Sequence, residues 1–193
     1  MNRTPGAVAT QRLFFALWPD SELQQRLARV AAAILPAHVG RPVPAENLHC
    51  TLAFLGDVDA DQRVCVEAAA SAVRAAPFEL SLDRCGFFRR PQVLWLGCLE
   101  TPAALRQLVS DLGRGCAACG FPPEPRPYEV HLTIARKISH DPGRPPVMAV
   151  SWPVDRFALV QSVSEPGGVR YRPLRFWVFG ENQRGVDQGL PGL

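Results

Sequence analysis

His49-Cys50-Thr51-Leu52-Ala53 and His131-Leu132-Thr133-Ile134-Ala135 are two copies of one short pattern: histidine, any residue, threonine, a branched aliphatic residue, alanine. The chain has 193 residues and only 4 His, so a His-x-Thr pair should arise by chance about 0.1 times in this length. Each copy lies in an alternating stretch that reads as a β-strand. Alternate strand residues share a face, so His49 points with Thr51 and His131 with Thr133. On the same reading Leu48, Cys50, Leu52 and Phe54 point the other way, as do Val130, Leu132 and Ile134. One face carries chemistry and the other packs a core. Two imidazoles, each with a hydroxyl neighbour, form the pattern of a paired acid and base acting on an anion such as phosphate.

Outward from the motifs, the pattern predicts a strand over 12–18, then a helix over 21–35 capped by Asp20 or Ser21, with Leu23, Leu27, Val30, Ala31 and Ile34 on one face. A Pro-containing loop over 39–47 leads to the first His strand, 48–55, which Gly56 ends. An Ala-rich helix over 59–76 and a half-buried strand over 78–82 follow. The second half repeats the order: strand 93–99, helix 102–119 with Thr101 as cap and Pro102 at its first position, a Pro-rich loop, and the His strand 129–137. A Pro/Gly loop over 139–146 precedes a hairpin of strands 156–163 and 170–179 around Glu165-Pro166-Gly167-Gly168. The residues from 181 to 193 read as a flexible tail. The repeat therefore spans about 12–82 and 93–163, with the two His 82 residues apart and strand 78–82 matched to 156–163. Two such units packed about a pseudo-two-fold axis would turn both His-Thr faces into one groove. The expectation is a single domain over 1–193 with two interleaved lobes.

Composition narrows the class. A hydrophobic content of 47% supports a globular core, and no apolar run is long enough to span a bilayer. The first residues lack a hydrophobic signal core. The expected setting is cytoplasmic, the expected state a monomer, and the expected state of the six cysteines reduced. Cys116-Ala117-Ala118-Cys119 has metal or redox spacing but stands without a second pair. The net charge of +3 is mild, and Lys137 is the single lysine among 21 basic residues. Arginine binds phosphate bidentately, so this surface suits a phosphate-bearing partner.

The flanks of both motifs resemble one family. Arg12-Leu13-Phe14-Phe15-Ala16-Leu17, His49 through Gly56, Gly86-Phe87-Phe88-Arg89-Arg90-Pro91-Gln92-Val93-Leu94-Trp95-Leu96-Gly97, His131 through Arg136, and Tyr171-Arg172-Pro173-Leu174 are similar to the 2H phosphoesterases. Within them the chain resembles the RNA 2′,3′-cyclic phosphodiesterases, also called 2′-5′ RNA ligase-like proteins. The resemblance covers nearly the whole chain. It implies a bilobal α+β fold of two pseudo-symmetric antiparallel-sheet lobes with outer helices and a central groove. It also implies metal-independent hydrolysis of a cyclic phosphate to a 2′-phosphate, with His131 activating water and His49 protonating the leaving 3′ oxygen. The family often has Pro just before the second motif, where this chain has Val130.

The chemistry of the residues agrees. Opening a 2′,3′-cyclic phosphate needs an activated water and a protonated leaving oxygen, which His49 and His131 can divide. Thr51, Thr133 and Arg136 can donate to the non-bridging oxygens of the pentacoordinate transition state. No Asp/Glu/His cluster with metal spacing is present, so no metal and no cofactor are expected. Tyr128, Phe14, Arg89 and Arg90 are candidates for holding bases or backbone of an RNA end, with Phe87, Phe88, Trp95, Arg170 and Arg172 less pointed candidates. His38 and His140 read as surface residues. The expected partner is RNA with a 2′,3′-cyclic phosphate end, tRNA fragments among the candidates, or a small cyclic nucleotide. The alternatives are 2′-5′ ligation by reversal, a small cyclic-nucleotide phosphodiesterase, and a non-catalytic RNA-end binding module.

Overall fold

The structure, a computed structural model, describes residues 9–35 and 40–180. His38 and the tail over 181–193 lie outside them. The elements are β1 (Gln11–Leu17), α1 (Ser21–Ile34), β2 (Arg41–Pro42), a 3₁₀ turn at Ala45–Asn47, β3 (Cys50–Val58), α2 (Ala60–Ala72), β4 (Phe78–Leu82), β5 (Arg84–Phe88), β6 (Val93–Gly97), α3 (Ala103–Ala118), β7 (Leu132–Arg136), β8 (Val150–Val154), β9 (Arg156–Glu165) and β10 (Gly168–Val178).

Seven strands form one sheet in the order β10-β9-β1-β3-β7-β6-β5, with β2 adding to β7, and β4 pairs β8 in a second sheet. Every pairing is antiparallel. The order is symmetric about the β3–β7 junction: β1 and β6 flank it, and β9 and β5 lie outside them. The fold is therefore α+β, with each lobe contributing half of a shared sheet. This corrects the matching of strand 78–82 with 156–163. The sheet position equivalent to β9 belongs to β5, and β4 pairs instead with β8. Sequence reading lacked β2, β5 and β8. Their prolines and glycine (Pro42, Gly86, Pro153) are strand breakers in isolation and are tolerated at short or edge strands.

The three helices cover one face. Leu23, Leu27 and Ala31 of α1, Val66 and Ala70 of α2, and Leu105, Leu108, Leu112 and Cys116 of α3 are buried there against Phe15, Leu17, Leu52, Leu94, Leu132 and Ile134. Each large aliphatic removed from water contributes about 1.5–3 kcal/mol. The Asp20 side chain accepts from the Leu23 amide at 2.8 Å, starting α1. Asp59 and Gln62 form a capping box at α2. At α3 the capping position is Pro102 and no side chain caps it, so Thr101 does not serve as expected.

Helices α2 and α3 are also joined covalently. Cys65 and Cys119 form a disulfide, while Cys50, Cys85, Cys98 and Cys116 are free and buried. The expectation of six reduced thiols fails at this pair, whose members, Cys65 within α2 and Cys119 at the C-terminal cap of α3, are not connected by sequence spacing. Cys116 and Cys119 do not act together.

Among the described residues no helix packs on the other face of the sheet. That face carries a small cluster of Phe14, Ala16, Ala158 and Val160, with Trp18, Tyr171 and Phe176 packed on it. Among the described residues no helix is long and apolar enough to cross a membrane.

Candidate active site

The two motifs meet at the sheet's centre. Strand β3 joins β7 through the register pair Cys50↔Leu132. This contact brings the residues flanking Cys50 (His49, Thr51) beside those flanking Leu132 (His131, Thr133). Cys50 and Leu132 are buried on the helix side, so the two His and two Thr form a square on the open face.

Both imidazoles are oriented in the same way. His49 Nδ1 lies 2.7 Å from the Asn47 carbonyl, and His131 Nδ1 lies 2.8 Å from the Glu129 carbonyl. Each carbonyl stands two residues upstream. A neutral ring must donate from Nδ1 there, which leaves Nε2 as the free acceptor. Each upstream residue is itself anchored. The buried Asn47 side chain donates to the Val169 carbonyl at 2.9 Å and accepts from the Tyr171 amide at 3.1 Å. The Glu129 carboxylate pairs with Arg84 at 2.5 Å. Sequence reading missed Asn47 and Arg84. The short spacing Asn-x-His was visible, but its partner on β10 is more than a hundred residues away.

The two sites differ electrostatically. The His49 ring is packed by Phe14 (centroids 5.0 Å apart), Tyr171 (4.9 Å) and Trp18, stacked at 5.6 Å. This burial pulls the His49 pKa down from 6.5 to about 4; the Asn47 carbonyl opposes the shift, and the charges of Arg136 and His131 add to it. His131 meets only the edge of Phe88, at 5.3 Å, among described aromatic rings. Phe88 in turn packs on Trp95, and the Arg84 guanidinium lies over the Trp95 ring at 5.0 Å.

Strict alternation fails just after each threonine. Along β1 the partners step from Ala53 to Thr51, skipping Leu52; along β6 they step from Ala135 to Thr133, skipping Ile134. A bulge changes which face the next residues take. Val93, on the same face of β6 as Trp95, pairs with Arg136, so Arg136 joins His131 and Thr133 on the open face. The equivalent residue of the first repeat, Phe54, pairs with Phe14 beside the Ala16↔Thr51 pair. Phe54 therefore points to the open face, not to the core as alternation predicts. It is 48% exposed, with Arg12 over its ring at 5.1 Å.

The remaining candidates fall in different places. Phe14 is only 2% exposed and lies under His49, so it offers no open surface. Tyr128 is half-buried against the core, and its hydroxyl donates to the Thr51 carbonyl at 3.0 Å. It holds β3 rather than presenting a face. Arg89 and Arg90 are exposed in the β5–β6 turn. His140 is exposed and its Nδ1 bonds the Ser139 hydroxyl.

Known proteins are similar to this chain in sequence and in fold. An RNA 2′,3′-cyclic phosphodiesterase of Escherichia coli is 38% identical, covering 86% of this chain and 96% of its own. One from Thermus thermophilus is 33% identical over 94% of this chain and 96% of its own. Among solved structures, E. coli LigT complexed with 3′-AMP superposes with a TM-score of 0.84 at 36% identity, covering 90% of this chain and all of that one. The family model of the 2′-5′ RNA ligase superfamily matches residues 19–165, and with these likenesses across both His-Thr strands the chain belongs to that superfamily.

Proposed function

We propose that this protein hydrolyses RNA 2′,3′-cyclic phosphate ends to 2′-phosphate ends by acid/base catalysis through His49 and His131, without a metal. The observation that carries the reading is the Cys50↔Leu132 register, which closes the two motifs into one His-Thr square on the open face. The curated relatives share the activity in name, and two imidazoles supply both proton transfers, so no metal step is required.

In this reading the cyclic phosphate sits over the square. Thr51, Thr133 and Arg136 donate to its non-bridging oxygens as charge develops in the transition state. One imidazole takes a proton from water through Nε2, and the other returns one to the leaving 3′ oxygen. The family resemblance gives the first role to His131 and the second to His49. His49 is neutral in the free protein at pH 7, so it must gain its proton as the substrate binds. Burial is the main cause that depresses His49, with the Arg136 charge a smaller one, and a phosphate anion bound beside the ring favours the imidazolium against both. Phe54 is the open aromatic surface beside the square, and it suits stacking of the terminal base.

The test is to incubate the protein with an oligoribonucleotide ending in a 2′,3′-cyclic phosphate, with and without excess EDTA, and to identify the product. A 2′-phosphate end formed at equal rates in both is expected. His49→Ala and His131→Ala should each lower the rate about 10²–10⁴-fold. Full activity in either variant, or binding without turnover by the wild type, would overturn the reading.

A further inference from the structure

We infer that Arg41 is a specificity-determining residue that binds the phosphodiester on the 5′ side of the terminal nucleotide, so that the site selects RNA ends over free cyclic mononucleotides. The inference rests on the cyclic-phosphate reading above and deepens it.

It starts from a like-charge pair. Arg41 of β2 is the direct cross-strand partner of Arg136 of β7. Directly opposed residues of an antiparallel pair share a face, and like charges placed there destabilise the sheet. Arg136 is on the open face because of the bulge at Ile134, so Arg41 is there too. Both are exposed, and neither forms an ion pair with an acid among the described residues. Two arginines on directly opposed backbone positions, with no acid paired to either among the described residues, make a ready site for an anion.

The row they occupy fits a second phosphate. Arg41, Arg136, Val93 and Phe88 are successive partners across β2, β7, β6 and β5. Arg89 and Arg90 follow Phe88 in the turn. The catalytic row, with Thr133 opposite Trp95 and Trp95 opposite Gly86, lies two residues along β5 and β6, about 7 Å away. That is one nucleotide step. Arg136 belongs to this outer row, three residues along β7 from Thr133, so it borders the catalytic row. Arg41 lies one strand further out, on the β2 side. A nucleoside 2′,3′-cyclic phosphate with a free 5′ hydroxyl has no group for Arg41. An RNA end always has one.

The experiment compares three substrates ending in the same cyclic phosphate: the mononucleotide, a dinucleotide, and that dinucleotide with an uncharged methylphosphonate linkage. The wild type should favour the natural dinucleotide over the methylphosphonate by about tenfold in kcat/KM, the worth of one partly exposed charge-assisted contact. Arg41→Gln should bring that ratio to about 1, and Arg41→Lys should restore part of it. The melting temperature of Arg41→Gln should hold or rise, because a like-charge pair is relieved. Equal wild-type rates on the two dinucleotides would overturn the inference, as would an Arg41→Gln variant that kept the ratio or lost activity on all three alike. Inactivity of the wild type on every substrate would sink the phosphodiesterase reading instead. Arg41 would then be judged by direct titration of the two dinucleotides, where it requires the same preference in binding.

Discussion

Leu52 and Ile134, the residues that follow the two motif threonines, each occupy a bulge at the same point of the repeat. The bulges bring Phe54 and Arg136 onto the face of the histidines. One lobe thus presents an aromatic ring where the other presents a guanidinium. Arg136→Gln should lower kcat on a cyclic phosphate by about 10²–10³-fold, the usual worth of a donor aimed at developing charge, with little change in melting temperature. An effect confined to KM would show that Arg136 binds the ground state only.

The roles of the two histidines separate by leaving group. A nitrophenyl phosphodiester releases a weakly basic oxygen and needs little protonation there. His49→Ala should lose less activity on it than on the RNA substrate, and His131→Ala should lose about the same on both. Steady-state rates of both variants on both substrates decide this, and the reverse pattern exchanges the roles.

The burial of His49 makes two statements about pH. Its folded pKa of about 4 lies below the ordinary 6.5, so the unfolded chain takes up the proton first as pH falls. Stability is full above about pH 6.5 and declines through that window toward pH 4, by about 2–3 kcal/mol from this group. Urea unfolding at pH 7 and pH 4.5 should show a drop that is smaller by that amount in His49→Gln. In catalysis, the limb that His49 contributes should lie at higher pH in kcat than in kcat/KM, because bound phosphate favours the imidazolium. Coincident limbs would mean the anion does not sit beside His49.

Much of this site was legible because it is local. The motif residues and the helices between them follow from periodicities of two and 3.6 residues, and the repeat follows from their order. What depends on register was not legible. Alternation put Phe54 in the core because nothing in Leu52 announces a bulge. Phe14 and Tyr128 read as open rings because aromatic residues look alike in sequence; the fold buries one under His49 and turns the hydroxyl of the other onto β3. Asn47 acts through β10, and Cys65 finds Cys119 across two helices. Each is a long-range pairing that no short window contains.

Gly97 should tolerate no side chain. A Cβ there would stand 2.5 Å from the Val130 carbonyl oxygen and 2.6 Å from the Trp95 ring. Val130 immediately precedes His131, so the clash reaches the site as well as the core. Gly97→Ala should cost about 1–3 kcal/mol or more and should lower kcat together with the melting temperature. Gly143→Ala is the comparison for a left-handed glycine in open space, since nothing lies within 4 Å of a Cβ there. It should lose some stability through its positive φ and leave kcat alone. Equal kcat for the two variants would show that the Val130 carbonyl does not set the position of His131.

The Cys65–Cys119 bond closes a loop with a sequence separation of 54 residues. Crosslinks of this span stabilise by about 2–4 kcal/mol, chiefly by restricting the unfolded chain. Thiol titration of the denatured, unreduced protein should therefore find the four free cysteines and not all six. Reductant should lower the melting temperature of the wild type, and Cys65→Ser should start at that lower value and ignore reductant. Turnover at room temperature should change little, because α2 and α3 lie on the covered face and the His-Thr square on the open one. Should reduction abolish turnover while the protein stays folded, the two helices would have to be transmitting their separation through β3, the strand on which α3 packs.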